Sequence, residues 1–220
     1  MNNTNERVRE ADYMRAICSI WIIAFWHMPD YISPSSFAQN LTNSFTAQTT
    51  FSALAVFTCL SGYFSSKMRI RNMKDVIAYY CKRFIRIYPL FTVSCIAFAL
   101  LSINPKRTVP FILLGLGLFR EPYPLTIWFV CMLLLFYLLV PVLVYKLNEQ
   151  SEMSFFTMAI FIEAVFFVAC NIFGTDNRLF YYWPYFVLGL LLSKVNIQYL
   201  FEMIWGGISK YKYEKARYFI

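Results

Sequence analysis

The sequence is poor in charge. Only 15% of its 220 residues are charged and 59% are hydrophobic, whereas about a quarter of the residues of soluble globular proteins are charged. A chain with this balance has too little polar surface to cover a compact body in water. The composition therefore excludes a soluble enzyme and predicts a protein whose solvent is a lipid bilayer.

Histidine is nearly absent, and the cysteines are not paired along the chain. His27 is the single histidine, so a site with several histidine ligands cannot form, and we expect no metal site. The six cysteines stand singly among apolar residues without a C-x-x-C pair. This pattern indicates small buried side chains rather than a disulfide framework.

Long apolar runs are abundant. Hydrocarbon about 30 Å thick requires a helix of about twenty residues. Of six long apolar runs, only the fourth and fifth, Thr126–Tyr145 and Ser154–Phe173, have that full length. The first, second and sixth, Tyr13–Met28, Phe51–Phe64 and Leu179–Ser193, are short enough to be buried or interfacial helices. A further piece, Pro110–Phe119, has ten residues and two glycines, and we expect it to be re-entrant or interfacial. The sequence therefore predicts an all-α, polytopic transmembrane bundle of about six spans: Tyr13–Met28, Phe51–Phe64, Tyr88–Ile103, Thr126–Tyr145, Ser154–Phe173 and Leu179–Ser193.

The placement of the basic residues predicts an orientation. With six spans and a cytoplasmic N-terminus, sixteen lysines and arginines lie inside and four outside, as the positive-inside rule requires. If Pro110–Phe119 also crossed the membrane, the split would fall to twelve against eight. The net charge of +8 thus reports orientation and not nucleic-acid binding. We expect both termini in the cytoplasm, a membrane domain at residues 1–193 and a basic tail at residues 194–220.

The first predicted span carries an ionisable group near each end. His27 lies twelve positions after Arg15, which corresponds to about 18 Å along a helix. His27 has two interpretations. It is an interfacial histidine among headgroups, or it is a general base that takes the proton of a hydroxyl nucleophile.

A basic cluster precedes the third span. Apolar residues at three- and four-residue spacing between Lys67 and Tyr88 predict an amphipathic helix. Its other face carries Lys82, Arg83 and Arg86. Contact with anionic lipid explains many such clusters. The alternative is a phosphate clamp, because arginine binds phosphate through two parallel hydrogen bonds.

The predicted spans also contain one carboxylate and several tryptophans whose surroundings can be predicted. Glu163 lies midway along the fifth span, where a carboxylate is costly unless it is protonated or paired with a cation. We expect structural pairing, with a proton relay as the alternative. Trp21, Trp26, Trp128 and Trp183 lie near predicted span ends, where interfacial aromatic belts occur.

Five segments resemble, in order, the recurrent blocks of the integral-membrane acyltransferase 3 family, whose members O-acylate cell-surface polysaccharides and related acceptors. The resemblance covers Ala11 to Ser193. Arg15 and His27 match the arginine and histidine on the family's first span, and Arg83 and Arg86 match its R-x-x-R pair. The segments are ADYMRAICSIWIIAFWHM, FTCLSGYF, YYCKRFIRIYPLF, IWFVCMLLLFYLLVPVL and YYWPYFVLGLLL.

The resemblance implies a function and the roles of individual residues. It implies acyl-CoA, for example acetyl-CoA, as a cosubstrate, with no permanently bound cofactor. The acceptor would be a hydroxyl of a glycan or lipid-linked saccharide at a bacterial inner membrane. His27 would be the catalytic base, assisted by Arg15. Arg83 and Arg86, helped by Lys82, would bind the CoA phosphates. Membrane lipids are further partners, and a homo-oligomer or a partner subunit stays open.

The chain departs from the family pattern in two ways. The family usually has ten residues between its arginine and histidine, whereas eleven lie between Arg15 and His27. Either a one-residue π-bulge restores the register, or the two residues serve separate subsites. The family also usually has about ten spans, so this chain resembles a truncated core. A non-catalytic membrane subunit and a transport or export component therefore remain as alternative functions.

Overall fold

The computed structural model describes residues 9–27, 44–68, 70–101, 106–119, 121–124 and 127–194. This part of the chain is helical and contains no strand, so the prediction of an all-α fold is confirmed. The predicted tail from residue 195 onward lies outside the described residues. A π-helix, Ile23–His27, continues the first α-helix, and a 3-10 helix, Lys106–Thr108, precedes the fourth. The α-helices are α1 Arg9–Ile22, α2 Ser44–Ser66, α3 Met73–Leu100, α4 Val109–Leu113, α5 Trp128–Glu149, α6 Glu152–Ile172 and α7 Arg178–Leu192.

Three of these helices are long and apolar enough to cross a membrane: α3, α5 and α6. They correspond to the third, fourth and fifth predicted spans. The other three predicted spans coincide with α1 and its π-helix, α2 and α7. By length and composition these do not qualify as spans within the described residues. The protein is therefore a helical membrane protein, and the count of six spans stays a prediction.

Helix α5 lies at the centre of the bundle. In its apolar window 56% of the residues are buried, against 11% in α3 and 17% in α6. Phe136 on α5 packs against Phe166 of α6 and against Trp183 and Phe186 of α7. α3 and α6 instead expose apolar side chains along most of their length, which is the surface expected to face lipid.

Helices α2 and α7 form the closest helix pair. A Cβ atom at Gly189 would overlap the carbonyl of Cys59, and one at Gly62 would overlap the carbonyl of Phe186. Small residues allow helix backbones to approach in this way within membranes. The buried face of α2 is otherwise lined with hydroxyls, such as Thr58 and Ser61, which donate to carbonyls of their own helix. This polar face lowers the hydropathy of α2.

The register of α1 changes just before His27. The π-helix Ile23–His27 takes up an additional residue. Twelve residues of ideal α-helix would place positions 15 and 27 about 120° apart around the axis, and the inserted residue returns position 27 toward the face of position 15. Of the two alternatives predicted for the eleven-residue spacing, the structure contains the π-bulge. The side chain of His27 lies outside the described part of the chain.

The segment expected to be re-entrant or interfacial does not cross the bundle. Within Pro110–Phe119 the helix α4 ends at Leu113, and a turn follows in which Gly115 adopts a positive φ of 75°. Ile112 and Leu118 are fully buried. Tyr88 of α3 donates a hydrogen bond of 2.8 Å to the Leu113 carbonyl. The segment therefore packs against α3 through a few buried side chains and leaves others exposed, such as Leu114.

A partly buried ion pair lies at the end of the bundle where α5 and α7 begin. The Arg178 guanidinium donates to both carboxylate oxygens of Asp176 and lies 4.1 Å above the ring of Trp128. The Asp176 amide donates to the Leu118 carbonyl. Burial raises the pKa of the adjacent Tyr123 phenol. The pair thus joins α7, α5 and the loop after α4.

Three predictions about individual side chains need correction. Trp128 and Trp183 are buried rather than interfacial, because the indole of Trp183 finds a buried acceptor in the Ala159 carbonyl at 3.0 Å. Cys81 is exposed, whereas the other five cysteines are at least partly buried. Glu163 is half-buried, and no cation is paired with it within the described residues.

Candidate active site

The start of α3 is fixed by a capping box. The Asn72 side chain accepts the Asp75 amide proton at 3.0 Å, and the Asp75 carboxylate accepts the amide proton of Asn72 at 3.2 Å. This arrangement satisfies backbone donors that a helix leaves unpaired at its N-terminus. The helix therefore begins at Met73, and the basic residues Lys82, Arg83 and Arg86 fall on its third and fourth turns.

Arg83 is held by groups from two other helices. Its Nη2 atom donates to the Ser65 hydroxyl of α2 at 2.9 Å, and that hydroxyl donates in turn to the Ser61 carbonyl at 2.6 Å. The guanidinium lies 4.4 Å from the ring centroid of Tyr137 on α5 and 5.4 Å from that of Tyr79. These partners are uncharged, so they orient Arg83 without neutralising it.

Arg15 approaches the same region from α1. Its guanidinium lies 4.3 Å from the ring centroid of Phe64 and 5.8 Å from that of Phe57, both on α2. Its Nε atom is buried and has no hydrogen-bond partner in the described part of the chain. An unpaired buried donor is costly, and an anionic ligand would satisfy it.

These cations line one cleft of about 760 Å³ where α1 begins, α2 ends and α3 begins. The volume is within the range of small-molecule sites. Of the two carboxylates in the lining, Asp75 is engaged in the capping box. The lining residues are Asp12, Arg15, Phe64, Ser65, Lys67, Met68, Asp75, Ala78, Tyr79, Lys82, Arg83 and Arg86. Basic side chains thus outnumber acidic ones, and the cleft favours a polyanion.

The structure brings four of the five predicted site residues together. Arg15, Lys82, Arg83 and Arg86 all line the cleft. The fifth, His27, ends the π-helix at the far end of the same helical segment. With a rise of 1.5 Å per residue, twelve residues place its backbone about 18 Å from that of Arg15.

Sequence reasoning missed the groups that position these cations. Ser65 and Tyr137 both contact Arg83. In the sequence, however, Ser65 is a small polar residue after an apolar run, and Tyr137 is one of many aromatic residues. Lys67 also lines the cleft, and its ammonium lies 4.7 Å from the ring centroid of Tyr63. No local pattern marks such contacts, because they depend on which helices become neighbours.

Comparisons with known proteins give the family. The family profile of acyltransferase 3, described as an acyltransferase domain, matches residues 8–209. Searches of curated proteins and of solved structures found no match. Since the matched region covers most of the chain and contains the cationic cleft, the protein belongs to the acyltransferase 3 family and is a membrane acyltransferase.

Proposed function

We propose that the protein transfers an acyl group, such as acetyl, from acyl-CoA to a hydroxyl of a cell-surface polysaccharide or related glycan. The observation that carries the proposal is the cleft in which Arg15, Lys82, Arg83 and Arg86 meet. An acyltransferase needs an activated donor, and CoA thioesters combine such a donor with a polyphosphate handle. The cleft offers the charge that this handle requires.

The donor would enter with its phosphates in the cleft. Arg83 uses Nη2 for Ser65 and retains further N–H groups for phosphate oxygens. Arg86 and Lys82 are exposed beside it and would meet the nucleotide portion. The pantetheine arm would then run along the bundle toward His27, about 18 Å from Arg15 by helix rise, which is comparable to the reach of the arm.

The chemistry would be general-base catalysis. His27 takes the proton of the acceptor hydroxyl while its oxygen attacks the thioester carbonyl, and a tetrahedral intermediate forms. Collapse of the intermediate breaks the carbon–sulfur bond, and the CoA thiolate leaves and recovers the proton from the imidazolium. Arg15 would orient the donor and stabilise negative charge that develops during the transfer. No metal takes part in this scheme.

The remaining partners follow from the membrane setting. A glycan or lipid-linked saccharide would supply the acceptor hydroxyl on the side of the membrane opposite the cleft. The sixteen-to-four distribution of lysine and arginine in the six-span arrangement supports a multi-pass orientation with both termini in the cytoplasm, and the bacterial inner membrane is the proposed location. A homo-oligomer or a partner subunit could complete the acceptor site.

The test compares acyl-CoA binding and acyl transfer by the purified chain in nanodiscs. Replacing Arg83 and Arg86 by alanine should weaken acyl-CoA binding more than tenfold, since each loses a charge-assisted hydrogen bond. His27→Ala should retain binding and lose transfer by a factor on the order of 10²–10⁴.

The matched control is Lys106→Ala/Arg107→Ala, which removes two exposed cations outside the cleft. It should bind acyl-CoA like the wild type. If the control and the arginine variant lost acyl-CoA binding equally, the loss would follow from the lower net charge. That result would contradict the assignment of the donor phosphates to the cleft. Binding without transfer by the wild type would favour a non-catalytic subunit, and absence of binding would favour a transport component.

A further inference from the structure

A second cavity, of about 490 Å³, lies at the junction of α5 and α6. It shares no lining residue with the cationic cleft. The two sites nevertheless lie toward the same end of the bundle. The Tyr80 hydroxyl of α3 donates to the Leu138 carbonyl of α5. Eight residues later on α3, the Tyr88 hydroxyl donates to the Leu113 carbonyl of α4. The neighbouring Ile112 carbonyl accepts from the Cys131 thiol, which lies seven residues before Leu138 on α5. α3 and α5 therefore run antiparallel, and α5 ends near the level at which α3 begins.

The head of this cavity is positively charged. Lys146 Nζ donates to Gln150 Oε1 at 3.2 Å and to the Ser154 hydroxyl at 3.1 Å. Both partners are neutral, so they fix the ammonium without cancelling its charge, and an ammonium has a third proton to donate. Ser151 caps α6 by accepting the Ser154 amide proton at 3.1 Å, and its hydroxyl donates no hydrogen bond within the described residues. The head thus presents donors for an acceptor-only anion.

The walls of the cavity are apolar and continue along the membrane-facing surface. Met153, Met158 and Phe161 line these walls, and the hydroxyl of Thr157 beside them donates to the Met153 carbonyl at 2.8 Å. From Phe161 onward, α6 exposes an apolar side chain every three or four residues, at Phe161, Val165, Val168 and Ile172. This stripe is about 16 Å long, close to half the thickness of the hydrocarbon core.

A second stripe runs along α5 from the same head. Val142 and Leu138 lie one and two turns before Lys146, and 48% and 57% of their surface is exposed. The cationic head is therefore continuous with two apolar tracks that point from the helix ends toward the middle of the bundle. A soluble anion would use the head alone, whereas a molecule with a phosphate and two acyl chains matches the whole surface.

We propose that this surface binds one anionic glycerophospholipid. Its phosphate accepts hydrogen bonds from Lys146 and Ser151, and its acyl chains lie along the stripes of α6 and α5. The charge complementarity of the head and the direction of the stripes select this occupant. The inference is independent of acyl transfer, because none of these residues takes part in donor or acceptor chemistry.

The test is lipid binding to the purified full chain in detergent, followed by native mass spectrometry. Phosphatidylglycerol is titrated against wild type and against Lys146→Gln. The variant should bind the tightest-held phosphatidylglycerol roughly tenfold more weakly, the size expected for one charge-assisted hydrogen bond, and Lys146→Arg should restore most of the binding. The matched control Lys194→Gln removes an exposed lysine at the end of α7 and should bind like the wild type.

Ligand comparisons separate the occupants and need only the wild-type chain. A diacylglycerol with the same acyl chains should bind at least tenfold more weakly than phosphatidylglycerol, and inorganic phosphate should not displace the lipid at millimolar concentration. Unchanged binding in Lys146→Gln, or an equal loss in Lys194→Gln, would overturn the site. Binding of diacylglycerol as tight as that of phosphatidylglycerol, or displacement by inorganic phosphate, would overturn the proposed occupant.

Discussion

At the scale of single residues, Arg83 shows how the fold prepares a cation for a ligand. A hydroxyl on α2 and an aromatic ring on α5 fix the guanidinium from two sides. Both are neutral, so the positive charge stays available to the cleft. Pre-ordering a long side chain removes part of the entropy cost of binding. Ser65 is therefore a positioning residue for the proposed donor site.

Replacing Ser65 by alanine tests this interpretation. The change removes the hydrogen-bond acceptor of Arg83 Nη2 and leaves the other contacts in place. We expect the KM for acyl-CoA to rise about five- to tenfold with kcat nearly unchanged, since a hydrogen bond to a charged group contributes about 1.5–3 kcal/mol and the rings compensate in part. Steady-state kinetics with varied acyl-CoA measures both constants.

Two further variants sharpen the interpretation of Ser65. Ser65→Thr keeps the hydroxyl and should restore most of the affinity. Ser94→Ala removes a hydroxyl that donates to the carbonyl of Leu90 in its own helix, α3, and should leave KM unchanged. A fall in kcat with constant KM in Ser65→Ala would assign Ser65 to the reacting groups instead.

At the scale of helices, the contact between α2 and α7 positions one wall of the cleft. Gly62 and Gly189 let the two backbones touch, and Ser65 lies three residues after Gly62. Dispersion forces and close packing replace the hydrophobic effect between helices in lipid. Separation of the two backbones would therefore shift Ser65 away from Arg83.

Gly189→Val should destabilise the fold through this contact. A Cβ atom at position 189 meets backbone and not a flexible side chain, so the helices must move apart. We expect a loss of about 1–3 kcal/mol, the usual cost of overpacking, seen as a lower midpoint in thermal denaturation of the detergent-solubilised protein. Ala164→Val places the same valine side chain at an exposed position of α6 and should leave the midpoint unchanged. A Gly189→Val midpoint equal to that of the wild type would mean that the helix pair tolerates separation.

At the scale of the whole molecule, the distribution of exposed apolar surface and of charge assigns the two ends to different environments. α5 is long enough to carry its two ends about 33 Å apart, which exceeds the hydrocarbon thickness. The cleft and Lys146 lie toward one end, and the Asp176–Arg178 pair lies at the other. The predicted orientation places the cleft on the cytoplasmic side.

Cysteine labelling in intact cells tests this orientation. In a chain whose exposed Cys81 is replaced by serine, Glu121→Cys should react with a membrane-impermeant maleimide. Gln150→Cys should react only after permeabilisation, because the membrane separates the two exposed positions. The reverse pattern would invert the topology, and labelling of both sites in intact cells would contradict a membrane-spanning α5.

The helices and the cationic residues were predictable, and their neighbours were not. Long apolar runs predicted α3, α5 and α6, and Arg83 and Arg86 were singled out by their spacing. The fully buried Trp183 was wrongly placed at an interface, because a tryptophan near the end of an apolar run looks the same whether lipid or protein surrounds it. Its acceptor, the Ala159 carbonyl, belongs to another helix.

The sequence by itself determined the membrane environment, the all-α class and the family, since these depend on composition, periodicity and the order of short blocks along the chain. Only the tertiary structure decided that Arg15 and Arg83, far apart in the sequence, line the same cleft. It also decided that Ser65 and Tyr137 hold Arg83 and that α1 ends in a π-helix at His27. The physical reason is that the apolar face of a helix determines which side chains are buried but not which other helix covers them. Which helices become neighbours is set by backbone contacts such as Gly62 and Gly189 and by hydrogen bonds between helices.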